Sequence, residues 1–132
     1  MASIRKEIPL AASPEAVWEV VRDVGAVATR FAPGFVVEVQ LEPGARLVTF
    51  GNGMVVRETI VDLDETARRL VYSVASERLT HHNASFQVFP EGEGSRLIWI
   101  ADVLPDAAAE TVGAMMEEGA AAAKQALDRL AA

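Results

Sequence analysis

Apolar and polar residues alternate with a period of two through most of the first hundred positions, and the period lengthens to that of a helix near the start and again at the end. Residues 4–11 read as a strand. Ser13-Pro14-Glu15 then opens a helix with a capping hydroxyl, a proline at the first helical position and an early acid. Val17, Val20, Val21 and Val24 follow at helical spacing beside Trp18, and Gly25 ends the segment. A second short helix is expected over 26–31, before Pro33-Gly34.

Six further strands are predicted at 35–42, 45–51, 54–62, 69–76, 82–89 and 96–104, separated by turn-forming residues such as Pro43-Gly44 and Asn52-Gly53. Asn52-Gly53 is expected to form a type I′ turn, with positive φ at both residues. Short connections make the neighbours antiparallel. After Pro105, Asp106 is expected to cap a last helix of roughly 25 residues, about 37 Å long. Its apolar stripe is Val112, Met116, Ala120, Ala123, Leu127 and Leu130. The order predicts one α+β domain over residues 1–132, a seven-stranded curved antiparallel sheet wrapped around a long C-terminal helix, with two short helices between strands 1 and 2. One helix is too narrow to dry such a sheet, so the sheet curls or a cavity remains.

Composition narrows the function. The formal charge of −7 opposes nucleic-acid binding, which needs clustered Lys and Arg. Cysteine is absent, which removes disulfides, thiolate metal sites and a Cys nucleophile. His81 and His82 are adjacent strand residues that point to opposite faces, so no metal site is expected. No P-loop, dinucleotide fingerprint or G-x-S-x-G occurs, and no cofactor is expected. The N-terminus carries charges every few residues, and no run approaches the ~20 apolar residues of a membrane span. A cytoplasmic protein, monomer or homodimer and without membrane insertion, is the expectation.

Arg57-Glu58-Thr59-Ile60-Val61-Asp62-Leu63-Asp64-Glu65, Leu70-Val71-Tyr72-Ser73-Val74, Glu77-Arg78-Leu79 and Leu104-Pro105 carry a resemblance. Together with the element order, they resemble the START-like superfamily of polyketide cyclase/dehydrase-type proteins, abscisic acid receptors and birch-pollen-allergen-like proteins. The resemblance covers essentially the whole chain and implies a helix-grip fold holding an apolar ligand between sheet and last helix. It implies that Glu58 stands where the receptors place a pocket carboxylate, and His82 where they place a pocket tyrosine. The receptor gate, Ser-Gly-Leu-Pro, is replaced by Gly51-Asn52-Gly53, and the latch His by Glu77. A hormone-gated phosphatase inhibitor is therefore not expected.

Strand parity gives an independent selection of inward residues. His82, Ala84, Phe86 and Val88 form one face; Leu70, Tyr72 and Val74 a second; Phe35, Val37, Val39 and Leu41 a third. Met54, Val56, Glu58 and Ile60 form the more apolar face of their strand. The expected ligand-contacting set is Val37, Val39, Phe50, Val56, Tyr72, Val74, Ala84, Phe86, Met116 and Ala120. Glu58 and His82 are the candidate acid/base pair, with Tyr72 beside them, because desolvation shifts an inward ionisable group toward useful pKa values. Glu58 equally fits a cross-strand pair with an arginine at a wet cavity mouth. Arg46 and Arg57 could neutralise a carboxylate or enolate ligand, although strand arginines more often sit solvated or paired on the outer face, and Arg57, with Val55 and Thr59 as its neighbours in register, is expected there. Either Trp99 or its neighbours Ile98 and Ile100 face the interior, and Gly119 either widens a cavity or permits close packing. Three functions stay open: a cofactor-independent cyclase or dehydratase acting on an apolar or aromatic, polyketide- or lipid-like molecule; a non-catalytic carrier or sensor of such a ligand; and a module that docks on another protein.

Overall fold

The computed structural model describes residues 1–131. Its strands are β1 (Ala2–Leu10), β2 (Val36–Glu42), β3 (Ala45–Phe50), β4 (Val55–Asp64), β5 (Arg69–Ala75), β6 (His81–Glu91) and β7 (Gly94–Leu104). All pair antiparallel in one sheet of order β1-β7-β6-β5-β4-β3-β2. Only the β1–β7 pairing is non-sequential. The chain crosses from one sheet edge to the other through helix α1 (Pro14–Arg22) and a single π turn, Val27–Phe31. A 3₁₀ turn, Asp106–Ala108, then leads into the long helix α2 (Ala109–Asp128).

Local chemistry sets these elements. Ser13 caps α1 by accepting from the Ala16 N–H at 3.2 Å, and Pro14 occupies the first turn. Trp18 and Arg22 both donate to Glu65, at 2.8 and 2.7 Å, and so tie α1 to the turn after β4. Helix α2 is tied to the opposite edge. Lys124 donates to the Pro9 carbonyl, Asp128 accepts from the Ala11 N–H at 3.0 Å, and Lys6 pairs with Glu117. Anchored over β1, α2 leaves space between itself and the middle strands.

Three local expectations are corrected. Positive φ occurs at Gly53 and not at Asn52, so the β3–β4 turn is not type I′. Asn52 instead accepts from the Met54 N–H with its side chain at 2.9 Å. Asp106 does not cap α2. Its residue begins the 3₁₀ turn, and its carboxylate pairs with the Met1 amino group at 2.9 Å. In β2 the register shifts between Val36 and Glu38, a bulge that inserts Val37 as an extra residue and reverses the parity before it. Val36 is therefore buried and Val37, expected to face ligand, is 55% exposed on the outer face.

Strand β7 alternates without interruption. Ser95, Leu97, Trp99, Ala101 and Val103 are buried, which turns Trp99 and not Ile98 or Ile100 to the interior. The main core joins this face to β1, β5, β6, α1 and α2, with Leu70, Leu97 and Leu127 at its centre. A smaller cluster of Val36, Val48 and Val56 fills the opposite flank beneath the π turn. On α2 the buried stripe runs Met116, Gly119, Ala123 and Leu127, so Gly119 takes the inward place expected for Ala120. A Cβ on Gly119 would stand 2.8 Å from the Phe35 ring and 3.0 Å from the Trp99 ring. Its missing side chain serves close packing.

Candidate functional site

Between the two clusters lies a cavity of about 260 Å³, just below the ~300–1,000 Å³ range of small-molecule sites. Its deep wall is aromatic. Phe86 stacks on Trp99 with centroids 4.8 Å apart and on Tyr72 at 5.9 Å, and Phe31 meets Phe86 edge-on at 5.0 Å. Phe35, Met115, Met116 and Gly119 close the helix side. Exposed lining residues mark an opening between Met54, the β5–β6 connection at Arg78, and Thr111 of α2.

Two polar pairs interrupt this apolar wall. Arg46 and Glu58 stand directly opposite each other on β3 and β4, and the Arg46 Nε donates to Glu58 Oε1 at 2.8 Å. Both are buried, at 4% and 7% exposure. The guanidinium also donates to the Val24 carbonyl at 3.0 Å and lies 5.4 Å from the centre of the Tyr72 ring. Burial pushes the Glu58 carboxyl up, and the charge and hydrogen bond of Arg46 oppose that shift. The second pair joins strands β7 and β5: Trp99 Nε1 donates to the Tyr72 hydroxyl at 3.0 Å. Burial, reinforced by the Glu58 charge, pushes the Tyr72 phenol far up, so it stays protonated.

His82 also borders the cavity. Its Nδ1 is buried without a hydrogen-bond partner among the described residues. Burial, and then the neighbouring His81, push its pKa below the ordinary histidine value and favour the neutral ring. Among the described residues, no three His, Asp or Glu side chains converge as a metal-binding set.

Of the expected ligand-contacting residues, Phe50, Val56, Tyr72, Val74, Phe86 and Met116 border the cavity, as do Glu58 and His82. Val37, Val39, Ala84 and Ala120 do not. Val37 is turned outward by the bulge, Val39 packs on the small cluster at the sheet edge, and Ala84 is sealed in the main core. Ala120 is displaced by the phase of α2. The expected cluster of Glu58, His82 and Tyr72 is divided: Glu58 bonds to Arg46 and Tyr72 to Trp99. The pairing of Glu58 with an arginine lies in the buried wall and not at a wet mouth. Arg57 is exposed and pairs with Glu42 at 3.1 Å.

The sequence left Arg46 open between a role toward a ligand and a place on the outer face, yet one signal for its pairing was available. Arg46 and Glu58 are equidistant from Asn52, so a hairpin centred there must set them opposite each other.

A curved antiparallel sheet gripping a C-terminal helix, with a cavity between them, defines the START-like helix-grip class. The chain belongs to the polyketide cyclase / dehydrase and lipid transport family, whose model matches residues 1–132. No curated protein sequence matches it. Among solved structures, one from Thermobifida fusca is 29% identical, with TM-score 0.79 over 98% of this chain and 95% of that one. A START superfamily protein from Mycobacterium smegmatis is 18% identical, with TM-score 0.79 over 97% and 98%. The Zhui aromatase/cyclase from Streptomyces is 22% identical, with TM-score 0.72 over 98% and 93%. The fold is therefore a polyketide cyclase/dehydrase-type ligand-binding fold. No helix among the described residues is long and apolar enough to cross a membrane.

Proposed function

We propose that the protein binds an apolar or aromatic, polyketide- or lipid-like small molecule in the cavity between sheet and α2. The observation that carries this reading is the cavity itself, walled by stacked aromatic rings and methionines and interrupted by a few polar groups. The family's description, which joins polyketide cyclases and lipid transport, supports the same ligand chemistry. A hydrophobic fluorophore such as 8-anilinonaphthalene-1-sulfonate or a polyphenol should bind with one-to-one stoichiometry and raise the melting temperature. If no apolar probe binds or shifts the melting temperature, the proposal fails.

A second reading, cofactor-independent acid–base chemistry at an enolisable carbonyl, is favoured by the unpartnered Nδ1 of a neutral His82. In this reading His82 takes the proton, and Glu58 holds Arg46 in place. The Zhui structure, an aromatase/cyclase, shares the fold on which such chemistry would run. His82→Gln separates the two readings: it leaves probe binding intact in a carrier and abolishes turnover of a poly-β-ketone in a cyclase.

A further inference from the structure

The hydrogen bond between Trp99 and Tyr72 has only one possible direction. An indole N–H donates and cannot accept, so the Tyr72 oxygen is the acceptor across the 3.0 Å separation. The hydroxyl proton then has to be placed elsewhere. Trp99 is the sole hydrogen-bond partner of the Tyr72 hydroxyl among the described residues. Arg46 takes Oε1 of the nearby Glu58 carboxylate, and among the described residues no hydrogen bond joins the Tyr72 hydroxyl to Glu58. The ring cannot swing away to find another acceptor, because it is 4% exposed, stacked on Phe86 and covered by the Arg46 guanidinium. Its remaining neighbour is the cavity, which Tyr72 lines.

Charge limits what can answer that donor. Arg46, the buried cation of the cavity wall, is matched by Glu58 at 2.8 Å, so a ligand carboxylate at this depth would meet no unbalanced positive charge. A neutral oxygen meets no such obstacle.

We propose that Tyr72 determines ligand specificity by donating a hydrogen bond to a carbonyl oxygen of a neutral, ring-bearing ligand, with Trp99 as the positioning residue that aims the hydroxyl. This rests on the cavity-binding function proposed above and adds to it a required chemical group, an acceptor at the deep end of the ligand. Trp99 acts on the ligand only through Tyr72. Carbonyl-bearing rings are selected over pure hydrocarbons, and donor-only rings gain nothing.

Three tricyclic probes of nearly equal shape test this: fluorenone, with a carbonyl; fluorene, with a methylene; and carbazole, with an N–H donor. Isothermal titration of the wild-type protein should show fluorenone binding about five- to tenfold more tightly than fluorene, with carbazole no tighter than fluorene. The carbonyl stretch of bound fluorenone should shift to lower frequency. Tyr72→Phe should erase both the preference and the shift, with the preference read as the ratio of fluorenone to fluorene affinity within the variant. Trp99→Phe keeps the hydroxyl but frees its orientation, so the carbonyl band should broaden and the preference should fall. Equal wild-type affinities for fluorenone and fluorene, or a preference that survives in Tyr72→Phe, would overturn the inference and leave the cavity-binding proposal standing. Binding of none of the three would remove both. Should Tyr72→Phe not fold, the wild-type preference and band shift decide the matter.

Discussion

Glu58→Gln is expected to lower the free energy of unfolding by about 3–5 kcal/mol, measured by chemical denaturation at neutral pH. The amide keeps the shape of the side chain and can still accept from Arg46, but the countercharge is gone. A guanidinium that is 4% exposed is then left unbalanced in an aromatic wall. Arg46→Met combined with Glu58→Leu should recover most of the loss, because replacing both members of a buried pair by apolar groups of similar volume is often neutral or stabilising. A Glu58→Gln protein as stable as wild type would mean that water reaches the pair. The comparison also affects how activity data are read. A loss of turnover in Glu58→Gln alone would report a damaged wall as readily as a missing catalyst, whereas the double variant separates the two.

Phe86→Ala is expected to cost about 3–5 kcal/mol and at the same time to enlarge the binding space. Phe86 touches Phe31, Tyr72 and Trp99, so its removal takes the centre out of the aromatic wall. The void opens into the existing cavity instead of being sealed in the core. Ligands one ring larger than those taken by the wild type should therefore bind the variant and raise its melting temperature more than they raise that of the wild type. A variant that loses the stability but gains no capacity for larger ligands would show that neighbouring side chains collapse into the space.

The alternating pattern and its turn residues located every strand to within about two residues, because a half-buried antiparallel sheet writes its two faces directly into the sequence. Parity failed where that relation breaks. The run Val36-Val37-Glu38-Val39 places valines on both faces, so nothing in it marks the bulge that turns Val37 outward. Trp99 stayed ambiguous because Ile98 and Ile100, on the other face of β7, are also apolar and half-buried. Position 119 carries no side chain and contributes no periodic signal, which shifted the expected inward residue of α2 to Ala120. For the site, parity identified the inward Glu58, Tyr72, Phe86 and His82 as bordering one space, but not how they pair. The partners of Glu58 and Tyr72 come from other strands: the centre of the β3–β4 hairpin sets Arg46 opposite Glu58, whereas Trp99 reaches Tyr72 only through the register across β5, β6 and β7.

Helix α2 is tied to β1 and the residues just after it by Lys6, Lys124 and Asp128, and a cavity remains between it and the middle strands. The space this leaves gives the protein a mechanical property. Unfilled space inside a folded chain is eliminated when the chain unfolds, so hydrostatic pressure works against the empty protein. A ligand that occupies the cavity takes that advantage away from the unfolded state. Protein and ligand together then fill less volume than they do apart, and compression, which weakens the empty fold, strengthens the complex.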